Sequence, residues 1–275
     1  MAEADPAPKS GTSAAGAVAV GIFASRIMGF FREMARAYFF GVGAHADVFT
    51  VALRGPNLLQ NLLGEGTISA AFIPIYSRMI EAGKEREAGR FAGAIFGLLL
   101  AVASGLVLGG MLLAPYIVAV LAPGFVGDAA EQLPPGLDWI VERLAGLLGE
   151  PLDPSPVNRY GLAVAAVRIV FPMAGVLVLS AWALGVLNSH RRFFLPYFAP
   201  VLWNVAIIAA LFIAGFVYLG DPLDVDPAGL SVASLNRLLF AAFFGALVGG
   251  ILQFGVQLPL VFREMKHFRL SFSTK

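Results

Sequence analysis

The chain contains no cysteine, which excludes disulfides, thiolate metal sites and a cysteine nucleophile together. Charge is scarce: Asp, Glu, Lys and Arg make up 13% of its 275 residues, about half the share typical of a soluble domain. The few charges nearly cancel, at a net +1, so no broad basic field offers a surface to nucleic acid. Three histidines, His45, His190 and His267, lie too far apart in sequence to give metal-ligand spacing. The acids are scattered, and no histidine neighbours an intramembrane serine, so neither a catalytic pair nor a metal cluster is expected. There is no GxxxxGK[ST] loop of the kind that binds ATP. The expectation is a protein without cofactor that is not an enzyme.

What the chain has in abundance is apolar sequence. Hydrophobic residues are 58% of it and the mean hydropathy is +0.79. A water-soluble fold of this length could not hide that much apolar surface. A helix needs roughly 20 mainly apolar residues to cross a bilayer, and six segments qualify: about 15–40, 46–79, 91–122, 160–188, 194–219 and 237–262. The fold class expected is therefore an all-α integral membrane protein of six transmembrane helices. Residues 1–13, polar and rich in Pro and Ala, read as a disordered cytoplasmic tail. Residues 14–265 read as the membrane lobe and 266–275 as a second cytoplasmic tail. The apolar stretch after Lys9 continues through Phe30 and Phe31 with no clear small-residue cleavage site, unlike a signal peptide.

Basic loops lie on the cytoplasmic side. The turn at 41–46 has no Lys or Arg, whereas the next loop carries Arg78, Lys84, Arg86 and Arg90. The long loop at 123–159 is mainly acidic, the short one after Asn188 carries Arg191 and Arg192, and the fifth holds Asp221, Asp224 and Asp226. The C-terminal tail is basic again. The alternation is unbroken and puts both ends in the cytoplasm. Within the long periplasmic loop, residues 137–148 show apolar spacing for an amphipathic helix lying on the membrane surface; a packing plug over the loop is an equal alternative.

Ionisable groups inside a membrane cost on the order of a few kcal/mol and mark substrate pathways by default. The first two spans concentrate them. Ser25, Gly29, Arg32 and Arg36 recur at i, i+4, i+7 and i+11 on one helical face. Arg26 and Glu33 lie beside it, and Glu33 is expected to neutralise one arginine at most. The second span carries Asp47, Arg54, Asn57, Asn61 and Glu65, with Pro56 expected to bend the helix near Arg54. Two readings stand: these groups pair with one another, or they line a wet cavity that takes an anion, for which the arginines outnumber the acids. Asn188, Asn204, Gln253 and Gln257 read as amides that bridge helices. Pro172, Pro196, Pro200 and Pro259 read as bends.

The segments SRIMGFFRE (25–33), FGVGAHADVFTVALRGPNLLQNLLGEGTISAAFIPIY (40–76), LAPGF (121–125), the run from Arg168 to Ile208 and GGILQFGVQLP (249–259) resemble the MurJ (MviN) family. Members belong to the MOP exporter superfamily, and this chain resembles the N-lobe of such a transporter. The resemblance implies flipping of lipid II, the undecaprenyl-pyrophosphate-linked peptidoglycan precursor, across the bacterial cytoplasmic membrane. It implies that Arg26 and Arg32 match cavity arginines, with Ser25, Arg36, Arg54 and Asn57 as further candidates for substrate contact. Asp47, Glu65, Glu33, Gly29 and Pro56 are the candidates for lining and gating. Arginine offers the forked geometry that a pyrophosphate needs. Two departures stand out: Gln60 and Asn61 occupy positions where many members have arginines, and the chain ends after six spans where members usually have fourteen. A C-terminal lobe is the partner implied. The competing readings are an exporter of another polyprenyl-linked glycan or a drug, and a non-transporting membrane scaffold in cell-wall synthesis.

Overall fold

The computed structural model describes residues 10–61, 71–129, 157–224, 226 and 229–265. The expected amphipathic helix at 137–148 and the site candidate Glu65 lie outside these residues. The described elements are α1 (Ser10–Phe40), α2 (Ala44–Leu59), α3 (Ile73–Glu81), α4 (Glu85–Leu112), α5 (Ala114–Leu121), a 3-10 turn (Pro123–Ala129), α6 (Arg159–Ser189), α7 (Phe194–Phe198), α8 (Pro200–Leu219), α9 (Val232–Gly255) and α10 (Leu258–Glu264). All are helical. The first begins at Ser10, inside the stretch read from sequence as a tail.

Five helices among the described residues are long and apolar enough to cross a membrane: Ala15–Phe40, Glu85–Leu112, Arg159–Ser189, Phe194–Leu219 and Val232–Glu264. The remaining expected span, 46–79, is described only as α2 and α3, with residues 62–70 between them outside the description.

Local chemistry sets the helix ends. Asn158 caps α6 by accepting from Gly161 N at 2.7 Å, and Ser231 caps α9 by accepting from Ser234 N at 3.2 Å. Pro115, Pro200 and Pro259 sit in the first turns of α5, α8 and α10, where a missing N–H costs nothing. The third, fifth and sixth segments are thus each split into two helices in series. Pro172, by contrast, lies inside an unbroken α6.

The centre of the bundle is α6, apolar all round, as a helix buried by its neighbours must be. It packs on α2, α4, α5 and α9, while α8 and α9 form the closest pair. That closeness depends on small residues: a Cβ at Gly245 would come within 2.5 Å of Ala210 Cβ, and one at Gly249 within 2.8 Å of Trp203 Cα. The core joins Phe39, Phe49, Phe171, Met173, Leu211 and Phe243, all buried. On the other side, Trp182 packs with Phe96 and donates from Nε1 to Ala92 O at 3.1 Å, tying α6 to α4. At the loop ends of α5 and α6, Arg159 holds the fully buried Asp128 carboxylate at 2.6 Å.

Against this body lies α1. It packs on α7 and α8, with few contacts to α2, and leaves Phe23, Ile27, Phe30, Phe31 and Met34 exposed along its other side.

Candidate functional site

Side chains on an α-helix advance by about 100° per residue, so neighbours in sequence part company in space. Ser25, Gly29 and Arg32 turn toward α8 and line a cavity of about 340 Å³. Asn57 of α2 and Gln60 just past its end line it with Ser180 of α6, Trp203 and Asn204 of α8 and Gln253 of α9. Gln60, where the resemblance leads one to expect arginine, therefore faces this cavity; Asn61 beside it is exposed. Asn57, though it reaches the cavity, is itself an exposed residue.

Arg32 is the cation of this cavity, with a side chain only 19% exposed. Nε and Nη2 donate to Glu33 Oε1 at 3.2 and 2.7 Å, and Nη1 donates to Asn204 Oδ1 at 3.1 Å. The Trp203 ring lies beneath the guanidinium, 4.9 Å from its central carbon, within cation–π range. Glu33 also accepts from Arg36 Nε through Oε2 at 2.7 Å. Its two oxygens divide between the neighbours, so one carboxylate bridges Arg32 and Arg36 and a single negative charge faces two positive ones. Arg36 consequently stands beside the cavity with Glu33 and is absent from its lining.

The other candidates face elsewhere. Arg26, next to Ser25, projects onto the exposed side of α1, and Arg54 is exposed on α2. Among the described residues no carboxylate pairs with either. Asp47 is exposed in the first turn of α2, where the helix dipole favours an acid. Pro56 is buried inside α2. Six candidates thus line or adjoin one cavity, namely Ser25, Gly29, Arg32, Asn57, Glu33 and Arg36, while Arg26 and Arg54 are each exposed away from it.

Trp203 and Ser180 belong to the cavity without any sequence signal to single them out. Asn204 and Gln257 act as the bridges expected of membrane amides. Asn204 links α8 to α1, and Gln257 Nε2 donates to Ser180 Oγ at 2.7 Å and Gln253 O at 2.9 Å.

A second polar cluster closes the end of the bundle where α3, α4, the α6–α7 turn and α10 meet. Tyr76 Oη lies 3.1 Å from His190 Nε2, His190 Nδ1 lies 3.8 Å from Glu264, and Glu264 accepts from Arg192 Nε at 3.0 Å. Burial pushes the His190 imidazole below its ordinary range, against the opposing pull of the Glu264 and Glu85 carboxylates. The turn itself carries Arg191 in the left-handed region, at φ +58°.

A family model described as "Lipid II flippase MurJ" matches residues 36–275. Ser25, Arg26, Gly29, Arg32 and Glu33 lie ahead of that matched range. The "Lipid II flippase MurJ" of Burkholderia cenocepacia is 34% identical over 235 residues, covering 86% of this chain and 37% of that protein. The "Probable lipid II flippase MurJ" of Rhizobium tropici is 32% identical over 262 residues, covering 83% of this chain and 44% of that protein. The chain therefore spans less than half the length of these relatives. A solved structure, "Lipid II flippase MurJ, inward closed conformation", superposes with a TM-score of 0.59 at 22% identity over 93% of this chain and 43% of that one, which is a likeness of fold.

Proposed function

This chain belongs to the lipid II flippase MurJ family, and from that premise we propose that it is the N-terminal lobe of a transporter that flips lipid II across the bacterial cytoplasmic membrane. The observation that carries the reading is Arg32: an intramembrane guanidinium at the wall of a polar cavity, with N–H donors to spare. A pyrophosphate crossing a bilayer needs such donors, and the prenyl tail can stay in lipid while the head group passes. Ser25, Asn57, Gln60 and Asn204 add neutral donors and acceptors around it.

On this reading the chain has six spans with both ends in the cytoplasm, by the alternation of basic loops. The exposed arginines Arg26 and Arg54 are available to a C-terminal lobe across the cavity, in the same product or in another chain. Alternating access then moves one lobe against the other about the bound head group. The Arg159–Asp128 pair and the Tyr76–His190–Glu264 cluster tie the two ends of this lobe, which suits a body that moves as a unit.

The experiment is complementation. A bacterium depleted of its own lipid II flippase receives this chain alone, or with a matching C-terminal half. Rescue is expected with both halves. Failure of both combinations, with the protein verified in the membrane, would overturn lipid II flipping by this lobe.

A further inference from the structure

We infer that Trp203 and Asn204 are positioning residues for Arg32, holding its guanidinium so that two N–H groups point into the cavity for a phosphate. The inference rests on the anionic-substrate reading above and adds what makes Arg32 selective.

A guanidinium has five N–H donors in a planar fork. Three are used within the protein: Nε–H and one Nη2–H on Glu33, and one Nη1–H on Asn204. One N–H on each terminal nitrogen is left without a protein partner among the described residues. Terminal guanidinium N–H groups left over in this way are donors that a phosphate oxygen accepts.

A free arginine carries about 2 kcal/mol of rotamer entropy, so these donors are useful only where something fixes them. Three contacts do so from different directions. Glu33 grips the Nε–Nη2 edge, Asn204 holds Nη1, and the Trp203 ring covers one face. Glu33 is 45% exposed and shared with Arg36, so it is a loose anchor. The other two are rigid. Asn204 is buried, and its Nδ2 donates to Pro200 O at 3.1 Å, which leaves Oδ1 directed at Arg32. Trp203 Nε1 lies 3.1 Å from Met173 Sδ on α6, and α9 packs closely at Gly249 on the α8 backbone that carries Trp203. The α8 wall thus determines where the Arg32 fork points, while Glu33 is the part an incoming anion can displace.

The test uses the full chain in lipid nanodiscs, with farnesyl pyrophosphate as probe and farnesol as the uncharged control. Trp203→Leu and Asn204→Ala are expected to weaken farnesyl pyrophosphate binding by about tenfold each and to leave farnesol binding unchanged. Trp203→Phe, which keeps a π face, is expected to recover most of the loss. Trp203 fluorescence, in a background of Trp139→Phe and Trp182→Phe, is expected to respond to the pyrophosphate and not to farnesol. Undiminished pyrophosphate binding in both variants, or an equal loss for farnesol, would overturn the assignment and leave the substrate reading standing. No preference for pyrophosphate over farnesol in the unsubstituted chain would overturn the anionic reading of the cavity, and this assignment with it.

Discussion

Arg32 on α1 and Asn204 on α8 lie 172 positions apart in the chain and meet through a 3.1 Å hydrogen bond. This contact ties the half-exposed middle of α1 to the packed body, and does so at the cavity. Nearer the C-terminal end of α1, Ala35, Phe39 and Phe40 are buried in the core.

Removing the resident counter-ion should free the two arginines it bridges. Glu33→Gln is expected to tighten farnesyl pyrophosphate binding several-fold, because the ligand no longer displaces a carboxylate. The variant should also lose thermal stability, because two arginines of the span are left without their shared counter-ion. Calorimetric titration and thermal unfolding of the variant check both. Weaker binding would show that Glu33 holds the arginines in place and does not compete with the ligand.

Two glycines on α4 make a matched pair. A Cβ at Gly110 would fall inside the buried Phe171 ring, whereas one at Gly109 would meet nothing within 4 Å. Gly110→Ala is expected to destabilise by about 1–3 kcal/mol through overpacking, and Phe171→Leu should recover part of that. Gly109→Ala should be neutral or stabilising by up to about 1 kcal/mol, from helix propensity alone. Unfolding midpoints of the variants decide it.

The His190 cluster gives a pH dependence of definite sign. Its imidazole titrates below the ordinary value near 6.5 because it is buried among Tyr76, Arg192 and Glu264, with Glu85 nearby. Above pH 6.5 both folded and unfolded states hold it neutral, and it makes no difference. As pH falls below 6.5 the unfolded state takes up the proton first, so stability declines until the folded state protonates too. The unsubstituted chain should therefore lose more thermal stability between pH 7 and pH 5 than His190→Gln. Parallel pH profiles for the two would contradict the shift.

Topology can be read directly because the chain has no native cysteine. A single cysteine at Lys84 is expected to react with a membrane-impermeant maleimide only after the cells are opened. One at Leu223, which is 70% exposed between α8 and α9, should react in intact spheroplasts. The same side for both, or the reverse, would remove the six-span orientation.

The helical stripe on α1 was legible in part: spacing put Ser25, Gly29, Arg32 and Arg36 on one face, and the first three share one cavity while Arg36 stands outside its lining. Five apolar spans were legible from hydropathy for the same reason that they fold, since each must satisfy its own backbone in lipid. Proline was an uneven guide. Pro115, Pro200 and Pro259 mark helix starts, but Pro172 passes through α6 without interrupting it. The double grip of Glu33 was not legible, because it depends on how its two oxygens divide between neighbouring turns. Nor was Trp203, whose role arises from a crossing of α8 over α1 that no local pattern encodes. Gln60 was noticed as a departure, but only the structure places it on the cavity wall.

The central claim is that Arg32 serves a lipid pyrophosphate in transit. The direct measurement is lipid II exposed at the outer face of flippase-depleted cells that express this lobe with a C-terminal half, comparing the unsubstituted lobe with Arg32→Ala at equal membrane abundance. The expected result is outer-face lipid II with the unsubstituted lobe and near-complete loss with Arg32→Ala. Equal exposure with both would contradict the account and place the head group elsewhere.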